Sequence, residues 1–233
     1  MTIGSRLARA LVLTLWAAFF GYLWASDEMV RYLGPRTYWV VPFGCLTLGA
    51  AAAAHFVTLH KTKDAGPPSR SDLIGIAVLM IPIVAVLAVP RAELGALAVS
   101  RKATGAGATA GLVAPPAPNE GRPPSFIDVH FANESDEYAA TLGIGEGTGL
   151  SLVGFVSETG DPSGEFVLTR FYVSCCAADA IPYSVTVLPA DQIGYPTNTW
   201  LKVAGSLESD GEEYRLSADS VQTVSQPENP YLY

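Results

Sequence analysis

The 233-residue chain has few of the residues that build disulfide-stabilised domains and hydrolytic active sites, since it contains only 3 Cys and 3 His. Cys45 lies in an apolar stretch, and Cys175 and Cys176 are adjacent, so the spacing gives no disulfide framework. His130 is the one histidine after residue 60, and its sequence neighbours suggest no nucleophile. We therefore expect no catalytic triad, and we expect that the protein is not an enzyme.

Positive charge is scarce in the C-terminal half of the chain. Residues 123–233 hold 3 Lys and Arg against 16 Asp and Glu, a net charge of 3 − 16 = −13. Residues 1–122 hold 11 against 6, a net charge of 11 − 6 = +5. Because phosphate binding depends on Lys and Arg, nucleic acid is not an expected partner of the acidic half. The opposite signs predict two environments, one beside anionic lipid and one in water.

Long apolar runs, by contrast, are abundant, and 49% of all residues are hydrophobic. Three segments, at about 8–25, 39–59 and 73–89, each match the ~17 to 25 residues that cross a bilayer as a helix. The first segment could instead be a cleaved signal peptide, because Arg6 and Arg9 precede an apolar run that ends near small residues. We predict a membrane domain over residues 1–103, embedded in the lipid bilayer as a multi-pass protein.

The orientation follows from the basic N-terminus and the acidic C-terminal half. Arg6 and Arg9 favour a cytoplasmic N-terminus. An anionic cytoplasmic leaflet would repel the acidic half. The expected location of the C-terminal domain is therefore extracytoplasmic.

A change of composition follows the apolar segments. Residues 104–125 are rich in Gly, Ala and Pro and predict a semi-extended tether. Beyond it, β-type runs separated by turn residues lie at 126–131, 150–156, 165–174, 183–188, 200–207 and 214–224. Gly154 and Gly205 fall in mid-strand and indicate bulges or sharp curvature. The predicted fold is thus membrane α plus soluble all-β: three transmembrane helices followed by a small OB-like β-barrel over residues 126–233.

The adjacent cysteines follow one of these strand-like runs. Neighbouring residues on a strand point to opposite faces, so one thiol would be buried unless the strand breaks. The sequence after Cys176, Ala-Ala-Asp-Ala, has no strand character, so a break or a single helical turn would bring Cys175, Cys176 and Asp179 together. Two thiolates and a carboxylate can bind Zn²⁺ or Cu⁺, and His130 is the remaining nitrogen donor in the domain. Arg170 is a candidate to pair with Asp179 across this turn.

Two other interpretations of the cysteine pair remain open. In the first, one cysteine fills the core and the other is incidental, since free Cys is among the most buried residue types. Alternatively, the two thiols form a strained and labile disulfide.

Several motifs add to these patterns. Besides the three apolar segments, they are Gly154-Phe-Val156, Phe166-Val-Leu-Thr-Arg-Phe171, Ser174-Cys-Cys-Ala-Ala-Asp-Ala180 with Pro182, Trp200-Leu-Lys-Val-Ala-Gly205 and Pro227-Glu-Asn-Pro-Tyr-Leu-Tyr233. In these motifs the chain resembles the YcgQ-like family of bacterial membrane proteins, which are predicted subunits of two-component permeases. Many members of the family carry a histidine-rich stretch between the second and third helices, which suits metal handling. This sequence has His60-Lys-Thr-Lys-Asp64 there instead, and that departure weakens any transfer of metal binding to this chain.

The resemblance implies a membrane-anchored accessory subunit in the bacterial cell membrane, which works beside a larger, multi-spanning permease subunit. The alternative is a free-standing envelope protein that binds metal or senses redox state through Cys175 and Cys176.

Overall fold

The chain divides into two compact units, residues 1–93 and 94–233, which we call the helical unit and the sheet unit. The computed structural model describes residues 5–59, 69–88, 94–103, 123–160, 164–189, 194–211 and 213–233. Residues 60–68 and most of the tether predicted at 104–125 lie outside the described residues. The boundary between the units precedes residue 103, where the sequence analysis ends the membrane domain.

Three long helices dominate the described part of the helical unit. They are α1 (Ser5–Ala25), α2 (Val40–Leu59) and α3 (Arg70–Ala88), and the 3₁₀ turns Glu28–Arg31 and Pro35–Thr37 lie between α1 and α2. Each of the three is long and apolar enough to cross a membrane. The prediction of three helices of this kind is therefore confirmed.

A capping box explains where α3 begins. The Ser69 amide donates to Asp72 Oδ2 over 3.0 Å, and the Asp72 amide donates to Ser69 Oγ over 3.2 Å. These bonds satisfy amides that have no partner in the first turn of a helix. Arg9 Nη2 of α1 lies 3.6 Å from Asp72 Oδ1. The N-terminal ends of α1 and α3 thus lie at the same end of the helical unit.

The sheet unit is built around five strands. They are β1 (Gly149–Thr159), β2 (Phe166–Tyr172), β3 (Ile181–Pro189), β4 (Trp200–Ser209) and β5 (Tyr214–Thr223). Their order is β1-β2-β3-β5-β4, and because β4 also pairs with β1 the sheet closes on itself. The β3–β5 pair is parallel and the other pairs are antiparallel. Five of the six predicted strand-like runs, all except 126–131, are confirmed as strands.

Alternation along the strands sends apolar side chains into the closed sheet. Leu152, Leu168, Val187 and Leu201 are buried there in one hydrophobic cluster. At Gly205 the β4–β5 register shifts, and a Cβ at this position would overlap the Ser217 carbonyl oxygen. The expectation of a bulge at Gly205 is therefore confirmed.

Gly154 is needed for a different reason. A Cβ at this position would lie 2.7 Å from the Thr169 carbonyl oxygen and 2.9 Å from the Phe126 ring. Glycine lets the first helix after the predicted tether approach β1 closely.

That helix differs from the sequence-based prediction for this segment. The run at 126–131 was expected as a strand, but it lies in α5 (Phe126–Glu134), which α6 (Asp136–Leu142) follows. The Ser125 amide and hydroxyl both donate to Asp128 Oδ2, over 2.7 and 2.6 Å, which caps the helix. The prediction that the C-terminal domain is all-β is therefore wrong, because helices pack on its sheet.

A further helix, α4 (Ala96–Ala103), also belongs to the sheet unit. Its Val99 is buried in a second hydrophobic cluster, formed with Phe155, Phe171, Val173, Ala180 and Tyr231. The Ala96 amide donates to Asn198 Oδ1 over 2.7 Å. Residues 94–103 thus pack with the sheet, although only residues 89–93 separate them from α3 in sequence.

Candidate metal centre

The adjacent cysteines lie in a short excursion between β2 and β3. Its two ends are fixed, because Val173 and Ala180 are both buried in the second cluster. The Val173 amide also donates to the Leu232 carbonyl over 3.2 Å. Residues 174–179, which we call the cysteine turn, contain a 3₁₀ turn at Ala177–Asp179. The strand therefore breaks before the cysteines, as one of the sequence-based alternatives required.

Asp179 organises the cysteine turn through its carboxylate. Oδ2 accepts the amide hydrogens of Cys175 and Cys176, over 2.8 and 3.4 Å, and Oδ1 accepts that of Ser174 over 3.2 Å. The Asp179 amide in turn donates to the Cys176 carbonyl over 2.9 Å. A short carboxylate side chain that satisfies successive amides is a common stabiliser of such turns. Asp179 thereby holds both cysteines next to its own side chain.

The two thiols and the carboxylate form one group. The Sγ atoms of Cys175 and Cys176 are 3.8 Å apart. One ligand atom from each of Cys175, Cys176 and Asp179 lies within 4.8 Å of the others, so this group can hold a metal ion. Cys175 is exposed and Cys176 is half-buried, and the two do not form a disulfide. The interpretation that one of the two cysteines fills the core is therefore wrong.

Hydrogen bonding within the group changes how its members titrate. The hydrogen bond to Asp179, followed by that to Cys176, raises the pKa of the Cys175 thiol to about 11. Burial acts to raise the pKa of Asp179. The hydrogen bonds from the Cys175 side chain and from the amides of Cys175, Cys176 and Ser174 outweigh it, so the pKa of this carboxyl lies below its usual value. At neutral pH the group therefore consists of a carboxylate and a protonated Cys175 thiol.

A lysine from α4 reaches the same turn. Lys102 Nζ donates to the carbonyl oxygens of Ala178 and Ala180, over 2.9 and 2.8 Å. These two carbonyls flank Asp179 in the chain. Lys102 thus fixes the backbone on both sides of the carboxylate and places a positive charge beside the turn. Sequence reasoning did not find this residue, because the contact joins positions 76 and 78 residues apart.

Arg170 does not pair with Asp179. Its guanidinium donates to three carbonyl oxygens, those of Val153 and Pro230 over 3.3 Å each and that of Asn229 over 2.8 Å. Burial lowers the pKa of Arg170, and the charge at Tyr233 opposes this shift. Arg170 is therefore a structural residue that fastens the C-terminal tail to the sheet.

His130 lies on α5, outside the cysteine group. Its Nε2 is 3.4 Å from Glu134 Oε1, and its ring packs edge-on against Tyr183 with the ring centroids 5.0 Å apart. The group of potential metal ligands in the described residues contains Cys175, Cys176 and Asp179 without His130. The structure thus unites three of the predicted site residues and separates the other two, Arg170 and His130.

Among the comparisons with known proteins, a family match falls within the sheet unit. Residues 129–233 match the family described as the DUF1980 C-terminal domain. No curated protein matches the chain. Among solved structures, a crystal structure of a small single-stranded DNA-binding protein from Streptomyces coelicolor is 15% identical, with a TM-score of 0.26, and the match covers 34% of this chain and 95% of that chain. A likeness at this level contributes nothing to the assignment of function.

Proposed function

We propose that this chain is a membrane-anchored accessory subunit of a two-component permease, and that its DUF1980 C-terminal domain presents a cation-binding site. The cation is Zn²⁺ or Cu⁺, and the subunit has no catalytic activity of its own. The observation that carries the proposal is the convergence of Cys175, Cys176 and Asp179 within 4.8 Å, in a chain with three helices of membrane-spanning length.

The residues of the cysteine turn supply ligands and not catalytic machinery. Thiolates are soft ligands that select Zn²⁺ or Cu⁺, and a carboxylate adds an oxygen ligand that Zn²⁺ accepts. His130, the one histidine in the sequence of the sheet unit, contacts Glu134 and packs against the Tyr183 ring. Binding and transfer of a cation therefore account for this group better than hydrolysis does.

The membrane role rests on the helices and on charge. Three crossings put the two ends of the helical unit on opposite sides of the bilayer, and Arg6 and Arg9 favour a cytoplasmic N-terminus. The sheet unit then lies on the extracytoplasmic side of the cell membrane, where its excess of acidic residues attracts cations. The motifs shared with the YcgQ-like family support a larger, multi-spanning permease subunit as the partner.

The sheet unit is assigned to the OB-like class as part of the same proposal. The strand order β1-β2-β3-β5-β4 with closure onto β1, and the single parallel pair β3–β5, support an OB-like topology. Many OB domains bind nucleic acid, but residues 123–233 contain only three basic residues, and two of these are otherwise engaged. Arg170 is bound to carbonyls, and Arg215 pairs with Asp210 and Glu213. A nucleic-acid partner is therefore not proposed.

Co-purification tests the accessory role. The full chain is solubilised from its native membrane in mild detergent and captured, and the proposal predicts that a multi-spanning permease protein elutes with it at a fixed ratio. A parallel capture of the Cys175→Ser, Cys176→Ser variant should retain the partner, since the helices and not the site make the contact. Capture of the chain alone would favour the free-standing envelope protein, whose metal or redox chemistry at Cys175 and Cys176 needs no partner.

A further inference from the structure

The separation of the two sulfur atoms bears on which cation the site takes. Two thiolates bound to one tetrahedral Zn²⁺ at ~2.3 Å stand roughly 3.8 Å apart, whereas a linear two-coordinate ion with bonds of that length would separate them by roughly 4.6 Å. Cys175 Sγ and Cys176 Sγ are 3.8 Å apart. The pair thus already has the spacing of two corners of a tetrahedron.

The third ligand points the same way. Asp179 offers an oxygen within 4.8 Å of both sulfur atoms. Zinc accepts carboxylate oxygen together with thiolate, whereas Cu⁺ selects soft sulfur ligands. A mixed set of two sulfurs and one oxygen therefore fits a borderline divalent cation better than a soft monovalent one.

The backbone holds these ligands in place without any help from a cation. Asp179 is fixed by the amides of Ser174, Cys175 and Cys176, and Lys102 is bonded to the carbonyls on either side of it. Oδ1 of Asp179 accepts the amide hydrogen of Ser174 alone, so this oxygen still has a lone pair for a metal. Ligands held by such surrounding bonds lose little conformational freedom when a metal binds.

The number of ligands leaves one position vacant. In the part of the chain that the structure describes, the group contains three potential ligands, and tetrahedral zinc takes four. Closed structural zinc sites supply all four from the protein, whereas open sites leave one for water or another molecule. Cys175 is exposed, so a cation bound to its thiol can be reached from solvent.

We propose, as an extension that rests on the proposed function, that Cys175, Cys176 and Asp179 bind one zinc-class divalent cation tetrahedrally, with an exchangeable fourth ligand. An open position suits a subunit that hands a cation on, because an incoming ligand can attach before the first three release it. The substrate class of the site is then a borderline divalent cation.

Cobalt provides the probe, since Co²⁺ substitutes for Zn²⁺ and its absorption spectrum reports sulfur ligation and coordination geometry. The full chain carrying Cys45→Ala is titrated with Co²⁺ in detergent, so that only the two site thiols are present. We expect a sulfur-to-cobalt charge-transfer band and intense visible bands of tetrahedral Co²⁺, both saturating at one Co²⁺ per chain. Imidazole added afterwards should shift the visible bands and preserve the charge-transfer band.

Site variants and competing cations show whether the open position, the divalent class or cation binding itself is wrong. Cys176→Ser and Asp179→Asn should each weaken Co²⁺ binding by at least 100-fold with an unchanged circular dichroism spectrum, and Zn²⁺ should displace Co²⁺ stoichiometrically. Visible bands that ignore imidazole would overturn the open position while the proposed function stands. Displacement of Co²⁺ by Cu⁺ but not by Zn²⁺ would overturn the divalent class alone. The complete absence of a charge-transfer band in the folded Cys45→Ala chain would remove both this inference and the cation-binding part of the proposed function.

Discussion

The helical unit and the sheet unit place their apolar side chains in opposite ways. In α2 and α3, Leu46 and Ile74 are 67% and 66% exposed, whereas Leu168 and Val187 of the sheet are fully buried. Both units are strongly apolar in these elements, so the difference lies in the solvent that each unit is built for. A helix that exposes large aliphatic residues along its length is adapted to lipid, and a closed sheet that hides them is adapted to water.

The largest expected effect comes from placing the same charge in the two units. Leu79 of α3 and Leu97 of α4 are 52% and 66% exposed, and each is an exposed leucine on a helix. Leu79→Arg should cost about 3 kcal/mol of membrane insertion, because an arginine near the centre of a spanning helix faces hydrocarbon. Leu97→Arg should change the stability by less than about 0.5 kcal/mol.

Protease protection of α3 in membrane vesicles measures insertion, and Leu97→Arg serves as the matched control. Equal behaviour of the two variants would contradict the assignment of different solvents to the two units.

Added volume should also distinguish the units. A Cβ at Gly205 would overlap the Ser217 carbonyl, whereas one at Gly75 of α3 would meet nothing within 4 Å. Gly205→Ala should therefore destabilise the sheet unit by about 2 to 3 kcal/mol, which lowers the melting temperature by roughly 10 °C. Gly75→Ala should leave the melting temperature of the sheet unit unchanged. Thermal unfolding of the full chain in detergent, followed by circular dichroism, gives both values, and an unshifted Gly205→Ala would refute the bulge assignment.

Cys175 should react slowly although its side chain is exposed. The thiol is exposed, yet its hydrogen bond to Asp179 raises its pKa to about 11 from a reference value of 9.0. At pH 8 the reactive thiolate should be about 100-fold scarcer than for an ordinary surface cysteine, and alkylation correspondingly slower. Because a raised pKa suppresses the thiolate until the pH nears that value, the rate should keep rising up to about pH 11.

Alkylation of the metal-free chain by iodoacetamide, assigned to Cys175 by peptide mass spectrometry, measures this rate. Asp179→Asn removes the negative charge and should accelerate the reaction at pH 8. A rate at Cys175 that levels off near pH 9 would show that Asp179 does not control this thiol.

The smallest expected effect concerns a residue that binds no cation itself. Lys102 donates hydrogen bonds to the carbonyls of Ala178 and Ala180, so Lys102→Met should loosen the cysteine turn. We expect this to weaken Co²⁺ binding by roughly tenfold, which is the size of effect seen for residues that hold metal ligands in place. Lys202, which is exposed on β4, provides the control, and Lys202→Met should bind Co²⁺ normally. A Lys102→Arg chain should recover part of the affinity. Identical Co²⁺ affinities of the Lys102→Met and Lys202→Met chains would remove Lys102 from the site.

The helices and strands that depend on local sequence patterns could be predicted from the sequence. Apolar length predicted α1 to α3, and runs of β-type residues separated by turn residues predicted β1 to β5. The run after Ser125 misled, because Phe-Ile-Asp-Val-His-Phe alternates like a strand, while the capping pair Ser125 and Asp128 starts a helix. The spacing of Ser125 and Asp128 was the available signal for a helix start, and it outweighs a short and weak alternation.

The site was predictable only in part. Cys175, Cys176 and Asp179 are close in sequence, so a single turn sufficed to bring them together. Their long-range surroundings were not predictable, since the contacts of Lys102 with the turn and of Arg170 with the C-terminal tail depend on how distant segments pack. Charge alone suggested that Arg170 pairs with Asp179, but local amides satisfy the carboxylate and backbone carbonyls satisfy the guanidinium.

Equilibrium dialysis against Zn²⁺ determines whether the membrane-anchored chain carries one cation site at the cysteine turn. The chain, with Cys45→Ala, is extracted from membranes in detergent and compared with the same chain carrying Cys175→Ser and Cys176→Ser. We predict one Zn²⁺ per chain, and none at the same free Zn²⁺ concentration after the two substitutions. Equal Zn²⁺ binding by the two proteins, or no binding by either, would show that the cysteine turn is not a cation site.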